Sequence, residues 1–158
     1  MTAVLEPVLQ SPRLPLYVEE LDRILAAERQ ARARFRAELS PSAKAEFING
    51  EVIMHSPAKY RHTNCAKLLL KLLDTFVERH QLGWVGNENV LVCLTRNDYE
   101  PDIVFYDREK AATLRPDQDE FPAPDLVVEV LSDSTEHRDR GIKFDDFAAS
   151  GVREYWLV

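Results

Sequence analysis

Hydrophobic and polar residues recur with helical periods in the first half of the chain. Residues 18–38 contain no helix breaker and are rich in Ala, Arg, Glu and Leu, which predicts a helix. A second helix is predicted over 58–80, where apolar residues recur at i, i+3, i+4 and i+7, so we expect this face to contact a core. The residues of this predicted face are Leu69, Leu72, Leu73 and Phe76.

Strand-like patterns dominate the rest of the sequence. Asn49-Gly50 lies between two short apolar runs within 45–54 and predicts a β-hairpin, because both residue types tolerate positive φ. Segments 95–100 and 107–124 are predicted to be a polar turn and a long charged loop, and a third helix is predicted over 137–150. Further strands are predicted at 84–94, 101–106, 125–131 and 154–158.

The order of these elements is helix, strand, strand, strand, helix, strand, preceded by an extra helix and the hairpin. This order predicts an α/β fold, and 158 residues suffice for one domain with its own core. The proline-bearing residues 1–17 are predicted to form an extended arm and residues 18–158 a single domain. Because the sequence stops inside a predicted strand, we expect that natural C-terminal strands are missing.

Composition restricts the function classes. The 27 acidic residues exceed the 20 basic residues and give a net charge of −7, which argues against binding nucleic acid through overall positive charge. A phosphodiester site built around a metal remains compatible, since such a site needs carboxylates. No apolar run is long enough for a membrane span and no signal peptide begins the chain, so we expect a cytoplasmic protein without membrane contact. Exposed edge strands favour a homodimer.

One acidic residue lies inside an otherwise apolar predicted strand. Glu129 belongs to the run Leu126–Leu131, and alternation places it on the same face as Val127 and Leu131. An unpaired buried carboxylate is costly. Three interpretations stay open: a buried ion pair, a strand end open to solvent, or a metal ligand.

Asp102 adds weight to the third interpretation. It follows Pro101 at the start of the apolar run Ile103–Tyr106, and the strands 101–106 and 125–131 are expected to be neighbours because a single loop joins them. Two adjacent carboxylates repel each other unless a cation lies between them. Mg²⁺ typically binds one or two carboxylates together with water and phosphate oxygens.

Lys143 lies in the predicted helix that follows the strand of Glu129. The chain should return it near that strand's end, although most lysines on helices are simply solvated. A lysine at such a site would orient or deprotonate the attacking water and offset negative charge in the transition state.

Pro101-Asp102 followed by Glu129 resembles the PD-(D/E)xK nuclease superfamily. The segment 124–158, PDLVVEVLSDSTEHRDRGIKFDDFAASGVREYWLV, is similar to the Uma-two family of restriction-endonuclease-fold proteins, a family abundant in bacteria. The hairpin EFINGEV (46–52), Ser56-Pro57 and His62 fit the same family. The resemblance covers about 43–158 and implies a restriction-endonuclease-like αβββαβ core.

The resemblance implies a metal-dependent endonuclease that hydrolyses phosphodiester bonds of DNA with Mg²⁺ or Mn²⁺. Asp102, Glu129 and the carbonyl of Val130 would bind the metal, and Lys143 would replace the lysine missing from position 131. Additional candidates for the site are Glu46, Glu51 and His62. The alternative is a catalytically inactive module on a nuclease scaffold that binds protein or nucleic acid, which the acidic net charge and the displaced lysine favour.

Overall fold

Two α-helices form the first of two compact units, Met1–Leu39 and Ser40–Val158. The structure, a computed structural model, describes residues 2–40 and 43–158. Helix α1 spans Thr2–Leu9 and α2 spans Leu14–Glu38. The predicted extended arm over 1–17 is therefore wrong for the described residues, and the boundary between the units lies at 39/40 rather than at 17/18. Pro15 misled the prediction because proline is tolerated in a helix's first turn, where the N–H groups have no partner in the helix.

The second unit is a mixed α/β structure. Its elements are β1 (Ala45–Ile48), β2 (Glu51–Met54), α3 (Tyr60–His80), β3 (Gly83–Asn87), β4 (Leu91–Cys93), β5 (Asp98–Tyr99), β6 (Ile103–Asp107), α4 (Arg108–Ala111), β7 (Glu120–Phe121), β8 (Leu126–Glu129), α5 (Glu136–Asp139), α6 (Ile142–Ala149) and β9 (Glu154–Leu157). They form a five-stranded sheet in the order β2-β1-β5-β4-β7 and a four-stranded sheet in the order β3-β6-β8-β9.

The four-stranded sheet carries the predicted αβββαβ core. Helix α3 precedes β3, β6 and β8, whose neighbouring strands pair antiparallel, and α6 then leads to β9, which pairs parallel with β8. The α/β fold class and the order of the core elements are confirmed. The predicted hairpin also forms, with Asn49 and Gly50 at φ of 50° and 89° between β1 and β2.

Strand β8 is covered on both faces, as its apolar sequence predicts. Val127 belongs to the larger hydrophobic cluster, which also contains Tyr99 and Phe147. Leu126 and Val128 belong to a second cluster that packs against α3. By alternation, Glu129 lies on the Val127 face, toward the larger cluster and α6.

The apolar face predicted for the long helix is only half correct. Leu69 and Leu73 pack against the second cluster together with Leu70 and the buried Val77. Leu72 and Phe76 are instead exposed. The leucine-rich sequence offers more than one apolar stripe, so periodicity alone did not decide which stripe faces the sheet. None of the helices in residues 2–40 and 43–158 has the length and apolar character needed to cross a membrane.

Four predicted segments differ in detail, and one of them is the helix predicted over 137–150, which the structure divides into α5 and α6. The strand predicted over 84–94 is two strands in different sheets, because Glu88 and Asn89 adopt positive φ and turn the chain between β3 and β4. The turn predicted over 95–100 contains β5. The loop predicted over 107–124 contains α4 and β7. The elements within 84–124 are all too short to produce a periodic signal.

Candidate functional site

Asp102 and Glu129 lie opposite each other where β6 and β8 meet. Ile103 pairs with Val128 in the antiparallel register, so the residues just outside this pair, Asp102 and Glu129, stand at the same end of the ladder. Both residues are buried, with Glu129 only 4% exposed. The N–H of Val130 donates to Asp102 Oδ2 at 2.9 Å, which ties the two strand ends together. The convergence predicted from the sequence is present.

Lys143 reaches the same place from α6. Its Nζ lies 2.6 Å from Glu129 Oε1, donates to Glu46 Oε1 at 2.8 Å and lies 3.4 Å from Asp139 Oδ1. Packing of α6 explains this position, because its Phe147 is fully buried in the larger cluster and contacts Tyr99 with ring centroids 5.1 Å apart. The side chain of Lys143 is thereby buried, with 2% of the residue exposed.

Glu46 occupies the buried strand β1 and is one of the carboxylates that contact Lys143. Its Oε1 also accepts from the N–H of Glu100 at 3.2 Å, and its Oε2 lies 3.2 Å from His55 Nε2 without hydrogen-bond alignment. Glu51 is on the exposed neighbouring strand β2, opposite Ile48, and does not line the cleft described below. Of the two hairpin carboxylates considered from the sequence, the structure brings only Glu46 to the site.

Asp102 has two basic neighbours. Lys44 Nζ donates to its Oδ1 at 2.9 Å, and His62 Nε2, from the first turn of α3, lies 3.3 Å from the same oxygen. The candidate His62 is therefore beside the carboxylate pair. Sequence reasoning missed Lys44. Strand alternation offered a signal, because residues 44 and 46 share a face when the strand is extended back by one residue.

Three carboxyl groups, those of Glu46, Glu129 and Asp139, lie around the single ammonium group of Lys143. Burial of Glu129, together with the charges of Asp102, Glu46 and Asp139, raises its pKa to about 8 despite the nearby Lys143. Burial would also raise the pKa of Glu46, but Lys143 and His55 outweigh it and hold that pKa at about 2. Glu46 is therefore the ionised partner of the lysine at neutral pH, and Glu129 tends to hold a proton.

The pKa values of the two cleft lysines, Lys143 and Lys44, are both raised. Burial disfavours the charge of Lys143, but Glu129, Glu46 and Asp139 raise its pKa well above the usual value. Burial likewise disfavours the charge of Lys44, but Asp102 raises its pKa overall. Asp102, whose pKa burial would raise, is held below its usual range by Lys44 and by the N–H of Val130. Both lysines are therefore charged at neutral pH.

A cleft of about 690 Å³ opens onto these groups. Asp102, Glu129, Val130, His62 and Lys143 all contribute to its wall. Glu129 Oε1 is buried and lacks an aligned hydrogen bond even though Lys143 is close. Within residues 2–40 and 43–158, no group of three or more His, Cys, Asp or Glu side chains is arranged to hold a metal ion.

The donor set nevertheless fits one small divalent cation. Two carboxylates that converge at a cleft, one with an oxygen lacking a hydrogen bond, provide the hard oxygen ligands that Mg²⁺ prefers, and water completes its coordination in many sites. The N–H of Val130 points to Asp102, and in extended backbone the carbonyl of the same residue points to the same side. The role of the Val130 carbonyl as a third ligand stays a prediction.

Comparison with known proteins gives one family and one fold. Residues 32–158 match the model of the Uma2 family, described as "Putative restriction endonuclease". A crystal structure of a putative nuclease belonging to DUF820, from Anabaena variabilis ATCC 29413, superposes with a TM-score of 0.64 at 16% sequence identity. The match covers 72% of this chain and 65% of that chain. No functionally curated protein matches.

Proposed function

Since the chain belongs to the Uma2 family of putative restriction endonucleases, we propose that it is a metal-dependent endonuclease that hydrolyses phosphodiester bonds of DNA. The observation that carries the proposal is the meeting of Asp102, Glu129 and Lys143 at one cleft. Superposition on a nuclease structure supports the fold. The DNA substrate and the metal are part of the proposal and are not supported by that superposition.

Asp102, Glu129 and the Val130 carbonyl would hold Mg²⁺ or Mn²⁺. When bound, such a cation would be a Lewis acid that polarises the scissile phosphate and lowers the pKa of the attacking water. Asp102 is kept ionised by Lys44 and is held in place by the N–H of Val130. Its oxygens are therefore ready to bind a cation without first losing a proton.

Lys143 would act through its charge. A pKa raised well above the usual value prevents this lysine from accepting a proton at neutral pH, which argues against a role as general base. Its ammonium group would instead orient Glu129, and its positive charge would offset charge on the phosphate through space rather than by direct contact. His62, beside Asp102 and half-buried in the cleft wall, would contact the substrate or take part in proton transfer.

Cleavage of DNA tests the proposal directly. Purified protein is incubated with supercoiled plasmid and with single-stranded DNA in Mg²⁺, Mn²⁺ or EDTA. We expect cleavage with either metal and none with EDTA, and a loss of at least about 100-fold in Asp102→Ala and Glu129→Ala. Glu51→Ala is the matched control, because this exposed carboxylate lies outside the cleft. Cleavage that survives both substitutions at the cleft would refute the assignment.

One observation favours the alternative, a non-catalytic module that binds protein or nucleic acid. Lys143 is buried and already engaged by carboxylates, so it cannot reach a phosphate in this arrangement without rearrangement. Calorimetric titration with Mn²⁺ separates the two functions. Saturable binding that Asp102→Ala abolishes supports the enzyme, whereas absence of such binding supports the module.

A further inference from the structure

Three basic side chains line the mouth of the cleft. Lys59 and Arg61 lie at the start of α3, and Arg138 lies in α5. We call these three residues the basic rim. They are contributed by two segments that are distant in sequence, so only the fold brings them to one opening.

The basic rim differs from the lysines deeper in the same cleft. Lys44 and Lys143 are tied to the buried carboxylates Asp102, Glu46 and Glu129. The side chains of Lys59 and Arg61 are instead 69% and 70% exposed. Arg138 forms no ion pair with any residue in the described ranges, 2–40 and 43–158.

A single acidic side chain joins the two exposed cations. Asp133 Oδ2 accepts from Lys59 Nζ at 3.0 Å and from Arg61 Nη2 at 3.5 Å, and the side chain of Asp133 is 78% exposed. Asp133 belongs to the loop between β8 and α5, so this contact spans the cleft mouth from α3 to that loop. Exposed ion pairs of this kind contribute little to stability, and an incoming anion replaces such a partner easily.

We propose that the basic rim binds the phosphodiester backbone of the nucleic acid strand that enters the cleft, and that Asp133 occupies a phosphate position until the strand arrives. This inference rests on the proposed function, whose substrate is the same strand. An oxygen of Asp133 contacts one lysine and one arginine, as a non-bridging oxygen of a phosphate group would. Backbone contact by the rim is independent of base sequence.

The protein as a whole is negatively charged, whereas the basic rim is a local group of positive charges. With a net charge of −7, the chain as a whole repels a polyanion, so affinity must come from a few positioned cations. Each phosphate neutralised by such a cation adds about 0.9 to the slope of log affinity against log salt for duplex DNA. A salt titration therefore counts the contacts that the rim supplies.

Binding is measured without cleavage, by fluorescence anisotropy of a labelled DNA duplex and a labelled single strand in EDTA, between 50 and 200 mM salt. We expect the triple variant Lys59→Ala/Arg61→Ala/Arg138→Ala to lose roughly tenfold or more in affinity at low salt and to reduce the salt slope by about 2 to 3. Asp133→Asn should bind about threefold more tightly, because Lys59 and Arg61 are released.

Matched controls separate the rim from the net charge. Asp74→Asn makes the same charge change as Asp133→Asn, and Lys71→Ala makes the same charge change as any one of the three rim substitutions. Both controls lie at exposed positions of α3 outside the cleft, and we expect both to bind like the unmodified protein. Adding Asp133→Asn to Lys59→Ala/Arg61→Ala should bring no gain, because the cations that Asp133 occupies are gone. Because the replaced rim side chains are not core residues, thermal unfolding should confirm that each variant is folded.

The outcomes are distinct from those of the cleavage test. A loss per removed charge that is as large in Lys71→Ala as in the rim variant, an unchanged affinity in Asp133→Asn, or no binding of DNA by the unmodified protein would each overturn the inference. If the rim effects hold while cleavage does not depend on Asp102, the proposed hydrolysis fails and the rim stands. If Asp102→Ala abolishes cleavage but the rim variant binds normally, the enzyme stands and the rim fails.

Discussion

Lys143 Nζ lies 2.6 Å from Glu129 Oε1 although the two residues come from different elements, α6 and β8. The same ammonium group also contacts Glu46, from the other sheet, so one buried cation joins both sheets and a helix. Because Glu46 remains ionised and Glu129 tends to hold a proton, we expect this cluster to respond both to pH and to a bound cation.

Metal affinity should rise with pH. The pKa of Glu129 is raised to about 8, so below pH 8 a cation must displace a proton from this carboxyl before binding to it. We expect the association constant for Mn²⁺ to increase by up to about tenfold per pH unit between pH 6 and 8 and then to level off. Calorimetry at several pH values measures this change. Glu129→Gln, which lacks the titrating group, should bind more weakly and lose this rise, and a flat profile in the unmodified protein would contradict the prediction.

Removing the buried ammonium should destabilise the fold. Lys143→Met leaves Glu46, Glu129 and Asp139 close together without their shared cation, and breaking a buried pair in this way typically costs about 3–5 kcal/mol. Urea unfolding at pH 7 measures the loss. Adding Glu46→Gln to Lys143→Met removes the carboxylate that stays ionised, so the double variant should recover part of the stability. If Lys143→Met is as stable as the unmodified protein, the lysine does not balance these charges.

The carboxyl group of Glu100, whose backbone N–H donates to Glu46, should make the free energy of unfolding depend on pH. Burial raises the pKa of Glu100 to about 7, and the positive charge of Lys44 only partly opposes this. The folded state thus binds a proton more tightly than the unfolded chain, whose carboxyl has a pKa near its usual 4.5. The resulting penalty is absent below pH 4.5, grows up to pH 7 and is constant above it.

Comparison with Glu100→Gln isolates this penalty. The free energy of unfolding of the unmodified protein should fall relative to the variant as pH rises from 4.5 to 7. Chemical denaturation at pH 4.5, 6 and 8 measures the difference between the two proteins. A difference that does not change with pH would show that Glu100 titrates normally in the folded state.

The hydroxyl of Tyr99 should contribute to holding α6 in place. It donates to Asp146 Oδ2 at 3.0 Å and accepts from Asn97 Nδ2 at 3.0 Å. Tyr99→Phe removes both bonds and should lower the free energy of unfolding by about 1–2 kcal/mol. Tyr106→Phe is a matched control for a buried hydroxyl, since among the described residues this hydroxyl donates to the carbonyl of Pro122 and not to a residue of α6.

The activity of these two variants gives a second readout. Because Asp146 and Lys143 share α6, Tyr99→Phe should lower metal-dependent cleavage, whereas Tyr106→Phe should lower stability alone. Equal activity in both variants would mean that the Tyr99 bonds stabilise the fold without positioning Lys143.

Local patterns determined much of this protein. The apolar run of β8, the Asn49-Gly50 turn and the order of elements predicted the αβββαβ core, because strand alternation and turn geometry depend on neighbours in sequence. The same reasoning placed Asp102 beside Glu129, since strands joined by a single loop usually pair. The role of each carboxylate stayed open at that level.

Tertiary structure decided the rest. Glu46 and Glu51 look alike in the sequence, yet β1 lies inside its sheet between β2 and β5, whereas β2 lies at the edge and is exposed. Lys44 and the basic rim also depend on contacts between distant segments, which leave no periodic signal. The pKa values follow the same logic, because burial and the charges of distant neighbours fix which carboxyl keeps its proton. The sequence thus determined which strands form and where their acidic residues fall, and only the packing of the two sheets against α6 decided which charges meet.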